Sequence, residues 1–229
     1  MSIDSAELRE SDPRDLGPTI IGVAVDVMQT LTIDRVAAVV RAQRVPDPVR
    51  LADTLAGAGI HLVEFTFTIP RVLEVIDTAR ASTATIGAGT VLTAEQAHSA
   101  IDAGAAFIVT PSVIPAVAAV CRDRRVPFML GAYTPGEVLE ARRLGSAAVK
   151  IFPASTCGPG HIKSLRGPFP NIALVPSGGV TLSTAAAFLD AGAVAVFAGS
   201  DLVSPAMVEN EAYDEVLTRA AGYVAAVSS

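Results

Sequence analysis

The sequence predicts a single α/β domain folded as a (β/α)8 TIM barrel. Eight short apolar runs recur roughly every 23 residues, and segments with helix start and stop signals separate them. Each run is almost continuously apolar, which is typical of strands buried on both faces of a parallel sheet. Eight strand-then-helix units in 229 residues favour a closed barrel over the alternative, a doubly wound open sheet.

The apolar runs give the predicted strands in chain order. They span 36–40, 62–67, 84–87, 106–110, 126–130, 147–152, 172–176 and 194–198. Residues 1 to about 18 are rich in charged side chains and contain no apolar stretch of the kind a signal peptide needs. We therefore predict a polar N-terminal tail over 1–18 and the barrel domain over 19–229.

Helix boundaries are predicted by capping residues and glycines. Thr93 and Gln96 have the spacing of a capping box, and Thr134 precedes Pro135 at a first helical position, so both threonines predict helix starts. Glycines that predict helix ends lie just before four of the apolar runs, where a left-handed residue is needed: Gly59, Gly104, Gly145 and Gly192.

Composition and charge exclude several classes of protein. With 51% hydrophobic and 17% charged residues, the chain can form a sizeable core and does not have the composition of a disordered protein. The net charge of -6 and the 5% content of aromatic residues argue against a nucleic-acid partner. No apolar run approaches the roughly 18 residues of a membrane span, so we expect no membrane partner.

The cysteine content indicates where the protein works. Cys121 and Cys157 are the two cysteines, too few for a disulfide framework or a four-ligand metal cluster. A reducing compartment is the simplest environment for such a chain, so we expect it to be cytoplasmic.

Candidate site residues are those that interrupt the apolar runs near the carboxyl ends of the strands, because barrel active sites lie there. Two of them, Glu64 and Lys150, are ionisable groups inside apolar runs. The others with polar or small side chains at these ends are Arg41, Thr66, Thr68, Thr90, Thr110, Ser112, Ser177, Gly178, Gly179, Gly199 and Ser200.

Lys150 is one of two lysines in the chain. Burial lowers the pKa of an amine, and a free amine can attack a carbonyl to form a Schiff base. Glu64 lies on a strand face with Thr66 and could exchange the protons that this chemistry requires. The alternative is a structural ion pair in which Glu64 only neutralises Lys150, and the two residues by themselves are compatible with both interpretations.

The glycines after the seventh and eighth strands favour an anionic substrate. Phosphate-binding barrels expose backbone N–H groups in these two loops, although glycine is also common in tight turns. Gly87 and Gly89 are not followed by the third glycine of a dinucleotide fingerprint, so no nicotinamide site is predicted. Glu64 is the one carboxylate at a predicted strand end, so no metal site and no cofactor are expected.

Seven short motifs together resemble the KDPG/KHG aldolases, the 2-keto-3-deoxy-6-phosphogluconate and 4-hydroxy-2-oxoglutarate aldolases. The motifs occur in the same order and spacing between about 36 and 203. They are VEFTF at 63–67, IGAGTVL at 86–92, TP at 110–111, VKIFPA at 149–154, GPFP at 167–170, PSGG at 176–179 and GS at 199–200.

The resemblance implies a metal-free class I aldolase that forms pyruvate and an aldehyde and works as a homotrimer. It implies that Lys150 is the Schiff-base lysine and that Glu64 is the general acid/base, acting through water. Thr90, Pro111 and Phe152 match positions that line the pyruvyl site. Positions that hold the pyruvyl carboxylate side or a distal phosphate are matched by Ser177, Gly178, Gly179 and Ser200.

Two departures from the family pattern bear on the substrate. Thr68 stands where some members have an anion-binding arginine, whereas other members have a threonine there and an arginine at the end of the first strand. Arg41 matches the second arrangement, so we expect Arg41 to anchor the anionic end of a 2-keto acid. Asp201 places a negative charge near the expected phosphate site and counts against a phosphorylated substrate.

Two other functions are compatible with the residues. One is a sugar-phosphate isomerase or epimerase in which Glu64 is the base and Lys150 an electrostatic partner. The other is a non-catalytic barrel that binds a phosphorylated metabolite, in which the Glu64 and Lys150 pair is structural.

Overall fold

The computed structural model describes residues 27–228. The predicted polar tail over 1–18 and the start of the barrel domain at residue 19 lie outside the described residues. Eight parallel strands form the sheet: β1 (Val36–Val40), β2 (Leu62–Thr66), β3 (Thr85–Gly89), β4 (Phe107–Val109), β5 (Phe128–Ala132), β6 (Ala148–Ile151), β7 (Leu174–Pro176) and β8 (Val196–Ala198).

Helices alternate with the strands. They are α1 (27–34), α2 (Pro48–Gly57), α3 (Val72–Ala79), α4 (Ala94–Asp102), α5 (Pro115–Arg124), α6 (Pro135–Arg143), α7 (Gly158–Arg166), α8 (Leu182–Asp190), α9 (Pro205–Glu209) and α10 (Tyr213–Ser228). A short 3-10 helix, Ala154–Thr156, lies between β6 and α7. Among residues 27–228, none of these helices has both the length and the apolar character needed to cross a bilayer.

The sheet closes into a barrel. Each strand from β1 to β7 pairs with the next one in the chain, and β8 pairs with β1. The seam between β7 and β8 is joined by a hydrogen bond of 3.0 Å from the Val194 N–H to the Leu174 carbonyl and by a bridge between Ser177 and Phe197. The predicted (β/α)8 barrel is therefore confirmed, and the doubly wound open sheet is not the fold.

The strand and helix boundaries follow the sequence signals closely. The largest displacement is in β5, which begins at Phe128, after Pro127, because proline has no N–H to donate to a neighbouring strand. All four glycines predicted to end helices have a positive φ of 96–101°. Thr134 forms a reciprocal capping box with Glu137. Thr93 accepts from the Gln96 N–H, but the Gln96 side chain accepts from the Leu92 N–H instead of completing the box.

Alternation along the strands divides the core into two parts. One face packs against the surrounding helices, and the other face fills the barrel interior. Val27 and Leu31 of α1 belong to the interior cluster, together with Phe107, Met129 and Phe197. Helix α1 thus closes the amino-terminal end of the barrel, so the carboxyl ends of the strands are the open end at which a ligand can enter.

This role of α1 gives a testable difference between two of its residues. Leu31 is fully buried in the interior cluster, whereas Ile33 on the same helix is 69% exposed. We expect Leu31→Ala to lower the free energy of unfolding by about 2–5 kcal/mol, because it leaves a cavity under the barrel. Ile33→Ala should change it by less than about 0.5 kcal/mol. Urea unfolding of both variants measures this, and equal losses would contradict the role of α1.

Candidate active site

The two ionisable residues of the apolar runs face each other across the barrel interior. Glu64 is at the centre of β2, and Lys150 is the third residue of β6. Both alternate with residues that point outward into the helical layer, so both side chains point inward. The Lys150 Nζ lies 3.8 Å from the Glu64 Oε1. The structure therefore brings together the pair that the sequence singled out.

Burial controls the electrostatics of this pair. Glu64 has no exposed surface, and Lys150 retains 5%. Desolvation raises the pKa of the Glu64 carboxyl, and the nearby charges of Lys150 and Arg41 oppose this rise. Desolvation likewise lowers the pKa of the Lys150 ammonium; Glu64 opposes the change and Arg41 adds to it. Both shifts favour the neutral forms, a carboxylic acid and a free amine.

No hydrogen bond satisfies the Glu64 carboxyl. Neither of its oxygens has a partner among the described residues, and the 3.8 Å separation from Nζ is longer than a hydrogen bond. A buried carboxyl with free acceptor and donor capacity is unfavourable unless something else occupies the space beside it. The site is therefore suited to a carboxyl group that exchanges protons with a ligand or a water molecule.

A cavity of about 370 Å³ opens beside Lys150 at the carboxyl ends of the strands. Its walls come from the ends of β1, β6, β7 and β8. Eight of the residues singled out from the sequence line it: Arg41, Lys150, Phe152, Ser177, Gly178, Gly179, Gly199 and Ser200. Val39, Val180, Thr181 and Asp201 also line it. Of these four, the sequence predicts a place near the site only for Asp201, as a negative charge beside the expected phosphate site.

The loop that enters α8 forms one wall of the cavity. Gly178 and Gly179 have φ of 81° and 79°, a conformation that other residues adopt only with strain. A side chain on Gly178 would also lie 2.8 Å from the Phe152 ring. Among the described residues, no hydrogen bond uses the backbone N–H groups of Gly178, Gly179 or Val180. Free N–H groups in a turn before a helix are suited to binding an anion.

Asp201 places a carboxylate at the N-terminus of α8. Its Oδ2 accepts hydrogen bonds from the Leu182 N–H at 2.9 Å and from the Tyr223 hydroxyl at 2.7 Å. Arg219 donates to the Asp201 carbonyl at 2.8 Å. The first N–H of α8 is thus already occupied by a carboxylate.

Arg41 is the exposed cation of the cavity wall. It follows β1, and its Nη2 lies 3.5 Å from the Thr90 hydroxyl, which it approaches as a donor. Thr90 directly follows β3 with a φ of 56°, a left-handed conformation that is uncommon for a β-branched residue. Arg41 is exposed and lines the same cavity as Lys150, so a ligand in the cavity can reach its guanidinium.

Three residues expected to bind substrate are not part of the cavity wall. Thr66 is fully buried, and its hydroxyl donates to the Val40 carbonyl at 3.2 Å and pairs with Thr68 at 2.7 Å. Thr90 stands beside Arg41 outside the wall. The backbone of Pro111 lies against Gly131 of β5. Strand alternation correctly predicts that Thr66 points inward, but it does not show that the Thr66 hydroxyl is hydrogen-bonded to Val40 and Thr68.

The other reactive residues lie away from the cavity. His61 contacts Asp34, and the Nε2 of His161 lies 2.7 Å from the Tyr133 carbonyl. Burial raises the pKa of the Cys157 thiol, which disfavours a reactive thiolate. Within residues 27–228, no three His, Cys, Asp or Glu side chains are arranged to hold a metal ion.

Comparison with known proteins identifies what the chain is similar to. Residues 27–219 match the family described as KDPG and KHG aldolase. A 2-dehydro-3-deoxy-phosphogluconate aldolase of Haemophilus influenzae is 33% identical over 193 residues, which cover 83% of this chain and 91% of that protein. A 2-dehydro-3-deoxy-6-phosphogalactonate aldolase of Escherichia coli is 36% identical over 63% of this chain and 73% of its own length.

A solved structure supports the same relationship. The 2-keto-3-deoxy-6-phosphogluconate aldolase of Zymomonas mobilis, crystallised with 3-phosphoglycerate, superposes with a TM-score of 0.78 and 25% identity. The match covers 88% of this chain and 96% of that one. Similarity extends over nearly the whole length of the Haemophilus influenzae and Zymomonas mobilis proteins.

The buried pair predicts a pH dependence of stability. In a Lys150→Met variant, Glu64 loses its counter-charge, so its pKa rises further above 4.5. The folded protein then holds a proton that the unfolded chain releases. We therefore expect the thermal unfolding midpoint of this variant to fall as the pH rises from about 5 to about 8.

The matched control for this measurement is the double variant Glu64→Gln/Lys150→Met. It has no ionisable group in the barrel interior at these two positions, so its midpoint should lack that part of the pH dependence. The same slope in the single and the double variant would show that Glu64 does not titrate as its burial requires.

Proposed function

Because this chain belongs to the KDPG and KHG aldolase family, we propose that Lys150 is the amine that forms the Schiff base and that Glu64 is its proton-transfer partner. The chain is an aldolase, a lyase that cleaves its substrate to pyruvate and an aldehyde. The observation that carries the assignment of roles is the 3.8 Å separation of two buried ionisable side chains beside the cavity.

Substrate binding orients a 2-keto acid with its carboxylate on Arg41. The guanidinium can bind a carboxylate with two parallel hydrogen bonds, which fixes the position of the adjacent C2 carbonyl. Lys150 and Arg41 line the same cavity, so the carbonyl carbon faces the amine. Holding the carbonyl at the amine removes much of the entropic cost of the first bond-forming step.

The Schiff base forms in two steps. The lone pair of the neutral Lys150 amine attacks C2, and the carbonyl oxygen takes a proton from the neutral Glu64 carboxyl, directly or through water, to give a carbinolamine. Loss of that oxygen as water leaves a protonated imine. The shifted pKa values of both groups supply the forms that these steps need, a free amine and a carboxylic acid.

Cleavage then uses the protonated imine as an electron sink. The Glu64 carboxylate accepts the proton of the C4 hydroxyl, the C3–C4 bond breaks, and its electron pair moves into the imine to form an enamine. The C4 fragment leaves as the aldehyde. Glu64 returns the proton to C3 of the enamine through water, and hydrolysis of the resulting imine releases pyruvate and restores Lys150.

The distal end of the substrate meets the loop before α8. The unpaired N–H groups of Gly178, Gly179 and Val180 favour an anionic group there, supported by the Ser177 and Ser200 hydroxyls. Phosphate in a 2-keto-3-deoxy-6-phospho sugar acid and carboxylate in 4-hydroxy-2-oxoglutarate are the two anions that fit. The Asp201 carboxylate accepts a hydrogen bond from the first N–H of α8, and its charge limits how closely a dianion can approach.

Two further properties belong to the proposal. The chain works as a homotrimer, which sedimentation equilibrium tests by a mass of three 23.5 kDa chains. It works in the cytoplasm, where its two free cysteines, one of them buried, stay reduced. Cell fractionation tests this, and recovery in another compartment would contradict it.

The Schiff base can be trapped. Incubation with pyruvate and sodium borohydride should add a reduced pyruvyl group to Lys150, because burial keeps part of its amine unprotonated. Lys163, the second lysine, is exposed and provides an internal control in the same sample. Peptide mass spectrometry locates the adduct. Labelling of Lys163 alone, or labelling that persists in Lys150→Met, would sink the assignment and favour the isomerase or binding-protein alternatives.

Arg41 should determine affinity for the keto acid. Removing a charged hydrogen-bond partner costs about 1.5–3 kcal/mol, so Arg41→Ala should raise the KM for the 2-keto acid about 10- to 100-fold. Arg41→Lys keeps the charge but not the bidentate geometry, so its KM should lie between those of the wild-type protein and Arg41→Ala. Steady-state kinetics measures this, and a variant with an unchanged KM would refute the anchor.

A further inference from the structure

The inner wall of β3 carries no side chains at two successive inward positions. Gly87 and Gly89 face the barrel interior, and large groups from the neighbouring strands occupy the space above them. A Cβ on Gly87 would overlap the Phe107 ring of β4. A Cβ on Gly89 would overlap the Oε1 and Cδ of Glu64, and even the Glu64 Cγ would be 2.5 Å away.

Backbone conformation does not explain these glycines. Neither Gly87 nor Gly89 has a positive φ, so any residue could adopt their backbone geometry. Both lie in a regular parallel strand, where glycine weakens the strand through its conformational freedom. What requires glycine at 89 is the space that the Glu64 carboxyl occupies.

Space is also what holds Glu64 in place. Its carboxyl oxygens have no hydrogen-bond partner among the described residues. No donor therefore fixes the orientation of the carboxyl, and the walls around it must do so. The bare backbone at Gly89 forms one wall, and the Lys150 Nζ lies 3.8 Å from the Glu64 Oε1.

We propose that Gly89 is a positioning residue for the reaction: the missing side chain at this position forms the recess in which the Glu64 carboxyl lies, within proton-transfer reach of Lys150 and the substrate. This inference rests on the proposed function, because it assigns a position to the group that moves the protons. It makes the identity of residue 89 a determinant of kcat, although Gly89 itself contacts no reacting atom.

The first test is Gly89→Ala. The methyl group must displace the carboxyl, and a misplacement of about 1 Å can cost about 10²-fold in rate, so we expect kcat to fall by that order while the KM for the keto acid changes little. Trapping of pyruvate on Lys150 should remain detectable after long incubation, because the amine is untouched. Gly136→Ala is the control for the substitution itself, since its Cβ meets no atom within 4 Å.

The decisive test is a double-mutant cycle with Glu64→Asp. In the native background, shortening the side chain withdraws the carboxyl from Lys150 and lowers kcat. In the Gly89→Ala background, the same change removes Oε1, the atom that the added methyl overlaps most, but leaves the Cγ beside the methyl. The overlap is therefore partly relieved, and the double variant should lose less activity than the product of the two single losses. If the fold-losses in kcat of the two single variants multiply in the double variant, the proposal is overturned, because the two positions then act independently.

Gly87→Ala supplies a control on the same strand. It crowds Phe107 instead of Glu64, so it should lower stability, and its effect on kcat should combine additively with that of Glu64→Asp. The same departure from additivity in this background would overturn the proposal, because it would reflect general loosening of the barrel.

Folding is measured alongside activity. If Gly89→Ala is unfolded, Glu64→Ala, which removes the Cγ, Cδ and Oε1 that the methyl overlaps, should restore its thermal transition, and failure to do so would overturn the proposal. Glu64→Gln in the native background separates this inference from the function on which it rests. Full turnover by Glu64→Gln would refute the role of Glu64 itself, whereas an inactive Glu64→Gln with an additive cycle would refute only the role of Gly89.

Discussion

The unsolvated contact between Lys150 and Glu64 is the interaction on which the rest of the molecule depends. Taking an ammonium and a carboxylate out of water is costly, and no hydrogen bond from residues 27–228 to Glu64 offsets the cost. Burial moves both pKa values toward the neutral forms, which are the forms that imine chemistry consumes. The barrel therefore has to exclude water at its amino-terminal end and admit substrate at the carboxyl ends of its strands.

The architecture meets both requirements. Helix α1 and the interior cluster close the lower end of the barrel, and the carboxyl ends of β1, β6, β7 and β8 leave a cavity at the upper end. Groups that can bind anions line this cavity at two places. One is the exposed Arg41 guanidinium, and the other is the set of N–H groups in the loop before α8. A substrate with an anion at each end would thus place its carbonyl over Lys150.

The sequence predicted the barrel, its strands and the meeting of Lys150 and Glu64, because all three follow from period-2 alternation and from the shared direction of parallel strands. It did not predict that the Thr66 hydroxyl is occupied by Val40, nor that Pro111 lies outside the cavity, because both depend on contacts between strands. The place of Thr181 in the cavity wall could have been inferred from its capping spacing to Thr184, two residues after Gly179. The recess over Gly89 could not be predicted, because it depends on how the Glu64 side chain of β2 packs over β3.

Exchange of the pyruvate methyl protons in D2O, followed by proton NMR, tests the central claim most directly because it needs no aldehyde. If Lys150 forms the imine and Glu64 transfers the C3 proton, the wild-type protein should exchange these protons, Lys150→Met should not, and Glu64→Gln should be strongly impaired. Exchange by Lys150→Met at the wild-type rate would contradict the account, since the enamine would then form without the buried amine.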